Sequence, residues 1–299
     1  TKTTVEGNYS IKLRKRINSN KVEEIWNGDK EKKKLEVEYF GVGDLEVSHN
    51  DKFLAYSLDI KGSEYYTIFV REIETNKIIT KEIYDTSGSV TFSLDDKYIF
   101  YSKLDGNHRA RKIYRHELGN SDKSDDLIFE EKSEAFTVGI NLSSDEKYYF
   151  ISTSDHNTSE QYYFNVDEKI PNPKLIKKRR KGILYSINSW DSKFYNHTNE
   201  DAEDFKIDIS DSLEKQNWRT FVAAKNEVLI GSCMFLKNWI LRSETSNALD
   251  KLFVKNINSG IEEEIIFSDE PVCVPNISFK QKDRNTDEVY IGYSSPKTP

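Results

Sequence analysis

A short pattern of polar turn residues followed by an apolar run recurs along this chain and narrows what it can fold into. Ser48-His49-Asn50-Asp51-Lys52-Phe53-Leu54-Ala55-Tyr56-Ser57 returns as Ser93-Leu94-Asp95-Asp96-Lys97-Tyr98-Ile99-Phe100-Tyr101-Ser102, and again as Ser144-Asp145-Glu146-Lys147-Tyr148-Tyr149-Phe150-Ile151-Ser152. Weaker copies sit at Asp191-Ser192-Lys193-Phe194-Tyr195, Leu236-Lys237-Asn238-Trp239-Ile240 and Asp287-Glu288-Val289-Tyr290-Ile291. From Lys52 through Lys97, Lys147, Lys193 and Lys237 to Glu288, the spacings are 45, 50, 46, 44 and 51 residues. Each copy combines Asn, Asp and Ser, whose side chains bond their own backbone in turns, with an aromatic and aliphatic strand fit for burial. A period of this length is the mark of propeller blades.

Second hairpins lie between the copies. Tyr66 to Ile73 alternates apolar and polar, turns at Glu74-Thr75-Asn76-Lys77 and returns through Ile78-Ile79-Thr80. Comparable segments fall near 112–130, 161–177, 204–222 and 250–267. Two hairpins make one four-stranded antiparallel blade. The expected fold is all-β, a single propeller domain over 1–299. It has a partial blade at 9–26, full blades at about 45–84, 90–130, 138–177, 183–222 and 227–267, and a partial blade at 275–295. Counting alone allows seven blades with the first and last incomplete, or six if the partial ones combine. A radial array leaves only short, protected strand edges. Long helices are not expected, and only 211–218 hints at a helical turn.

Composition fits a folded, cored chain: among 299 residues there are 17 Tyr and 16 Phe but 6 Pro. The net charge of −7 comes from 51 acidic and 44 basic residues mixed along the length, so a nucleic-acid partner is not expected. Two cysteines, Cys233 and Cys273, without paired spacing indicate neither a zinc cluster nor a disulfide framework and fit a cytoplasmic protein. No apolar run approaches the ~18–20 residues that span a bilayer, so no membrane partner is expected.

Chemistry-bearing motifs are weak. No Gly-x-Ser-x-Gly elbow exists, and Gly62-Ser63, Gly88-Ser89 and Gly231-Ser232 read as turns. His116-Glu117 begins like a metalloprotease helix but lacks a second His four residues on from His116. The 5 histidines are dispersed and read as structural or surface residues. Lys177-Lys178-Arg179-Arg180-Lys181 reads as a solvated loop between blades. Asp125-Asp126, Glu130-Glu131 and Glu262-Glu263-Glu264 read as turns or rim charge, because neighbouring strand residues face opposite sides. No catalytic, cofactor-binding or metal-binding residue is assigned, and no cofactor is expected.

Several stretches, in order, resemble the oligopeptidase B (protease II) branch of the prolyl oligopeptidase family of serine peptidases. They are Phe40-Gly41-Val42-Gly43-Asp44-Leu45-Glu46-Val47-Ser48, Thr86-Ser87-Gly88-Ser89-Val90 and Ile113-Tyr114-Arg115-His116-Glu117-Leu118-Gly119, the last followed by Glu130-Glu131-Lys132 and Thr137-Val138-Gly139. Further on come Thr158-Ser159-Glu160, Arg179-Arg180-Lys181 leading to Tyr185-Ser186, Asn217-Trp218-Arg219 and Gly292-Tyr293-Ser294-Ser295. Coverage runs from about residue 7 onward.

The resemblance implies a peptidase cutting short peptides after Lys or Arg, built from an α/β-hydrolase catalytic domain and a propeller that limits access to it. It favours seven blades, the first without its inner strands and the last without its outer hairpin. The family's catalytic Ser, Asp and His lie beyond the segment matching Ser294-Ser295-Pro296, so none is carried over. Two positions depart from the family: Ser63-Glu64 stands where many members have Arg pairs, and Ile183-Leu184 where many have His-Glu before Tyr185.

The leading expectation is therefore a non-catalytic gating and docking propeller, inert alone. Its partners are the α/β-hydrolase domain and, for the parent enzyme, short basic peptides. A free-standing propeller scaffold for protein partners is the alternative, since folds do not fix functions. A metal-dependent propeller enzyme ranks last, for want of converging Asp, Glu or His.

Overall fold

In the turns of the repeat, short polar side chains replace the backbone's missing partners. The Ser48 hydroxyl donates to Asn50 Oδ1 (2.9 Å) and accepts from Phe53 N–H (2.9 Å), while Lys52 N–H donates to Asn50 Oδ1 (2.9 Å). Ser93 does the same with Asp95 (2.7 Å) and Tyr98 N–H (2.9 Å), and Ser143 with Asp145 (2.8 Å) and Tyr148 N–H (3.0 Å). The left-handed residue that closes each turn is Asp51, Asp96 or Glu146, with φ of 61°, 54° and 57°. The spacing of Ser, Asx and Lys is thus a hydrogen-bonding requirement.

The computed structural model describes residues 2–15, 19–267, 273–279 and 284–295. Its first sheet joins β1 (Lys2–Val5), β2 (Ser10–Lys15) and β3 (Val22–Asn27), followed by helix α1 (Gly28–Leu35). Next, β4 (Gly41–Val47), β5 (Phe53–Asp59), β6 (Tyr66–Glu72), β7 (Ile78–Phe92), β8 (Tyr98–Leu104), β9 (Ala110–Glu117) and β10 (Asp126–Glu130) form one seven-stranded antiparallel sheet in chain order. In it, β7 is 15 residues long: Ile78, Thr80 and Ile83 pair with β6, Val90 to Phe92 pair with β8, and Thr86 pairs with both.

Three four-stranded sheets follow: β11 (Thr137–Leu142), β12 (Tyr148–Ser154), β13 (Ser159–Asn165) and β14 (Lys174–Lys177); β15 (Tyr185–Trp190), β16 (Lys193–Thr198), β17 (Lys206–Ser210) and β18 (Arg219–Val222); β19 (Leu229–Phe235), β20 (Trp239–Ser246), β21 (Leu249–Asn256) and β22 (Glu262–Ile265). A last pair joins β23 (Cys273–Phe279) to β24 (Val289–Ser294). Counting β7 twice, the described strands make five sets of four between a three-stranded and a two-stranded sheet.

The chain divides into two compact units, 1–142 with 151–155 and 162–174, and 143–150 with 156–161 and 175–299. The core of the first includes Ala55, Ile68, Val70, Ile83, Val90 and Ile99, and that of the second Tyr195, Ile207, Ile230, Phe235 and Ile240.

Within each unit a side chain from the next repeat also clasps the turn before it. Asp96 accepts the N–H groups of His49 and Asn50, both at 2.7 Å. Asn188 accepts Ser144 N–H at 2.9 Å, and Asp287 accepts Asn238 N–H at 2.8 Å. Asp96 is buried and has a left-handed backbone that favours Asp, Asn or Gly. Asp96→Ala is expected to lower stability by about 2–4 kcal/mol, since two N–H groups lose their acceptor and the backbone is strained. Asp96→Asn, which keeps one acceptor, should cost less than half of that in urea unfolding.

Three sequence expectations change. Strand β1 adds to the hairpin expected at 9–26, of which residues 16–18 lie outside the described residues. A helix forms at 28–35, where none was expected: the Asn27 side chain caps Lys30 N–H (3.2 Å), and Asp29 accepts the N–H groups of Asn8 (3.2 Å) and Tyr9 (3.3 Å). The segment 211–218 is a turn without a helix, closed around the Ser210 hydroxyl, which lies 2.8 Å from both Ser212 O and Asn217 Oδ1 and accepts Ser212 N–H at 3.1 Å.

Candidate functional site

Three of the distant motif segments meet in the second unit. Glu160 is buried and accepts both the N–H (3.0 Å) and Nε (3.0 Å) of Arg179. The Ser159 hydroxyl donates to Tyr185 O (2.8 Å) and accepts from Tyr185 N–H (2.6 Å), and Thr158 Oγ1 accepts Gly182 N–H (3.1 Å). The Tyr185 phenol donates to Lys177 O and accepts Gln161 N–H (2.8 Å), and Gln161 Oε1 accepts Ile187 N–H (2.6 Å). Ile183, at one of the departing positions, joins by backbone alone: its carbonyl accepts Ser159 N–H at 3.0 Å. At the other, Ser63 and Glu64 sit in a turn whose N–H groups and hydroxyl point at Asp59; these bonds hold its carboxyl below the usual range against the opposing effect of burial.

The basic run is therefore not simply solvated. Arg179 is tied to Glu160, while Lys177 and Arg180 both reach Glu200. Burial, and then the charges of Arg180 and Lys206, lower the Lys177 pKa.

The acidic pairs need a similar correction. Asp125 precedes β10 and its side chain is buried, with 3% exposed against 57% for that of Asp126. Asp126 pairs with Arg115 (2.7 Å), whose guanidinium lies over the Tyr98 ring. Asp125 accepts from the Tyr101 phenol (2.8 Å) and meets His116 Nδ1 at 2.7 Å; His116 Nε2 lies 3.2 Å from Thr80 Oγ1. Glu131 is also buried, accepting from the Thr153 hydroxyl (2.7 Å) and Ser133 N–H (2.8 Å).

Thr80, His116 and Asp125 thus line up hydroxyl, imidazole and carboxylate as in a hydrolase triad. Thr80 and His116 have 0% exposure, so no substrate reaches them and the arrangement is a packing device.

Glu262 is likewise engaged. Arg242, buried, donates to Glu262 at 2.6 and 2.9 Å and to buried Glu244 at 2.6 Å; Lys225 reaches Glu244 at 2.7 Å. Of the three Gly-Ser pairs read as turns, only Gly62-Ser63 lies in one, whereas Gly88 and Gly231 lie within β7 and β19 as packing positions. A Cβ on Gly88, at φ +91°, would stand 2.9 Å from the Tyr66 ring, and one on Gly231 2.2 Å from Ser243 Oγ.

Among the described residues no three His, Cys, Asp or Glu side chains are grouped to hold a metal, and no helix is long and apolar enough to cross a membrane. Cys233 is a free thiol; the side chain of Cys273, like Pro296, lies outside the described residues.

Repeated four-stranded antiparallel sheets, with the motif residues spent on internal contacts, are the architecture of a propeller domain. Residues 1–299 match the family model of the prolyl oligopeptidase N-terminal β-propeller domain, and the chain belongs to that family. It is 29% identical over 269 residues to "Protease 2" of Moraxella lacunata, covering 88% of this chain and 38% of that protein. It is 26% identical to "Dipeptidyl aminopeptidase BI" of Pseudoxanthomonas mexicana, with 88% and 36% coverage. The chain thus spans less than two fifths of the length of either. In fold it is similar to oligopeptidase B from Trypanosoma brucei, with a TM-score of 0.85 at 19% identity, covering 99% of this chain and 44% of that one. Oligopeptidase B from Leishmania major gives 0.80 at 19% identity, covering 89% and 40%.

Proposed function

We propose that this chain is the non-catalytic propeller of a serine oligopeptidase, limiting access to and docking with an α/β-hydrolase domain that cuts short peptides after Lys or Arg in the cytoplasm. The match of residues 1–299 to the N-terminal propeller model carries the reading. The resemblance to oligopeptidase B supports the substrate class, and the presence of only two cysteines, without paired spacing in sequence, supports the compartment. Acyl transfer needs a reachable nucleophile and base, and the buried Thr80–His116–Asp125 alignment supplies neither, so the chemistry belongs to the hydrolase domain. The propeller contributes exclusion by size.

The test is cleavage of a short fluorogenic peptide with Arg before the reporter. The chain alone is expected to be silent, and mixing it with a separately produced α/β-hydrolase domain to yield activity confined to short peptides. Cleavage by the pure chain would overturn the reading. A silent mixture of folded components would favour a free-standing scaffold.

A further inference from the structure

A cavity of about 150 Å³ lies within the second unit, between two neighbouring sheets. One wall carries Ser186, Tyr195 and His197 of β15 and β16, and the other Ser232, Cys233 and Phe235 of β19. Strand alternation alone would turn Ser232 away from Cys233. The register of β19 on β20 shifts between Ile230 and Cys233, and this irregularity lets both side chains line the cavity. Ser186 and Ser232 are exposed while Tyr195 and Phe235 are buried, so hydroxyls mark the mouth and rings the floor.

The His197 ring is fixed in place: it stacks on Phe205 at 4.5 Å, and its Nε2 lies 2.7 Å from Ile230 O. A carbonyl only accepts, so Nε2 carries the proton and Nδ1 presents a lone pair. Burial lowers the His197 pKa and pushes the Cys233 thiol up to about 12. The lining contains no Asp, Glu, Lys or Arg, so the walls are uncharged at neutral pH.

We infer that this cavity binds an uncharged, phenol-like ring, either a free small phenol or the tyrosyl side chain of a peptide. Apolar cavities of ~150 Å³ accept benzene. Here His197 and the two serine hydroxyls add hydrogen-bonding partners for an O–H group. Walls that carry no charged side chain disfavour a charged ring, which would lose its hydration there.

Saturation-transfer NMR on the full chain tests this with phenol, anisole, benzoate and N-acetyl-tyrosinamide. Phenol is expected to bind, with anisole and benzoate at least about tenfold weaker. Binding of N-acetyl-tyrosinamide alongside phenol would assign the site to a peptide's tyrosyl group, and its failure to bind would assign it to free phenols. Cys233→Leu fills the cavity and should weaken phenol by about tenfold or more. Ser232→Leu, at the exposed mouth, repeats the test where the fold tolerates it, with circular dichroism checking both variants. Phenol binding undiminished in both folded variants, benzoate binding as well as phenol, or no phenol signal overturns the proposal.

Discussion

Asp125→Ala is expected to cost about 3–5 kcal/mol of stability, seen as a lower urea midpoint with an unchanged slope. The carboxylate is the acceptor for both the Tyr101 phenol and His116 Nδ1, and neither side chain has more than 2% exposure. Without it, two buried donors face an apolar surround, and an orphaned buried donor carries its full desolvation cost. Tyr101 keeps its proton throughout, because burial and the Asp125 charge raise its pKa far above the ordinary tyrosine value. Asp126→Ala removes the next residue in the chain, yet should stay within about 1 kcal/mol of the parent, since its carboxylate is solvated and the Arg115 pair is screened. Equal effects at the two positions would show that Asp125 is not held as described.

The second large effect is expected at Arg242. Arg242→Ala should remove about 3–5 kcal/mol, because it leaves Glu244, 5% exposed, and Glu262 facing one another with only lysine ammonium groups as counter-charge. It also removes the guanidinium from the Phe253 ring, 4.8 Å away. The loss should depend on pH. Hydrogen bonds from Arg242 hold the Glu262 carboxyl below its ordinary 4.5. A carboxyl depressed on folding stabilises the fold above its unfolded pKa, and that contribution fades as pH falls through the lower folded value. The parent protein should therefore lose stability as pH drops below about 4.5, and the variant should lose less over the same range. An unchanged acid limb in Arg242→Ala would remove Glu262 from this network.

The turns of the fold were legible because Ser48 and Ser93 must each find an acceptor two residues on, which imposes a visible spacing; in the third copy, read from Ser144, the structure gives that role to Ser143. Alternating strands such as β6 were legible for the same kind of reason: burial on one face has a period of two. Helix α1 was not, because Gly28–Leu35 ends in a single apolar residue and has no stripe to detect; its support is the Asn27 cap and the reach of Asp29 to a distant turn. The buried carboxylates of Asp125 and Glu131, and the engagement of Glu262 by Arg242, were equally hidden. Acidic doublets on a soluble chain look alike until the cross-strand partner is known, and His116, Thr153 and Arg242 lie 9 to 22 residues away in sequence. The cavity depends on an irregularity in β19 that no pattern of residue types announces.

The long strand β7 has a consequence for descent. Its first half closes one set of four strands and its second half opens the next, with Thr86 paired on both sides and Gly88 making the bend at φ +91°. Repeat proteins change length by gaining or losing whole units, yet here a break between units would sever a continuous backbone ladder and strand Thr86 without one of its neighbours. Residues 41–130 thus share one continuous sheet, which a duplication or deletion of only one of the two repeats would interrupt.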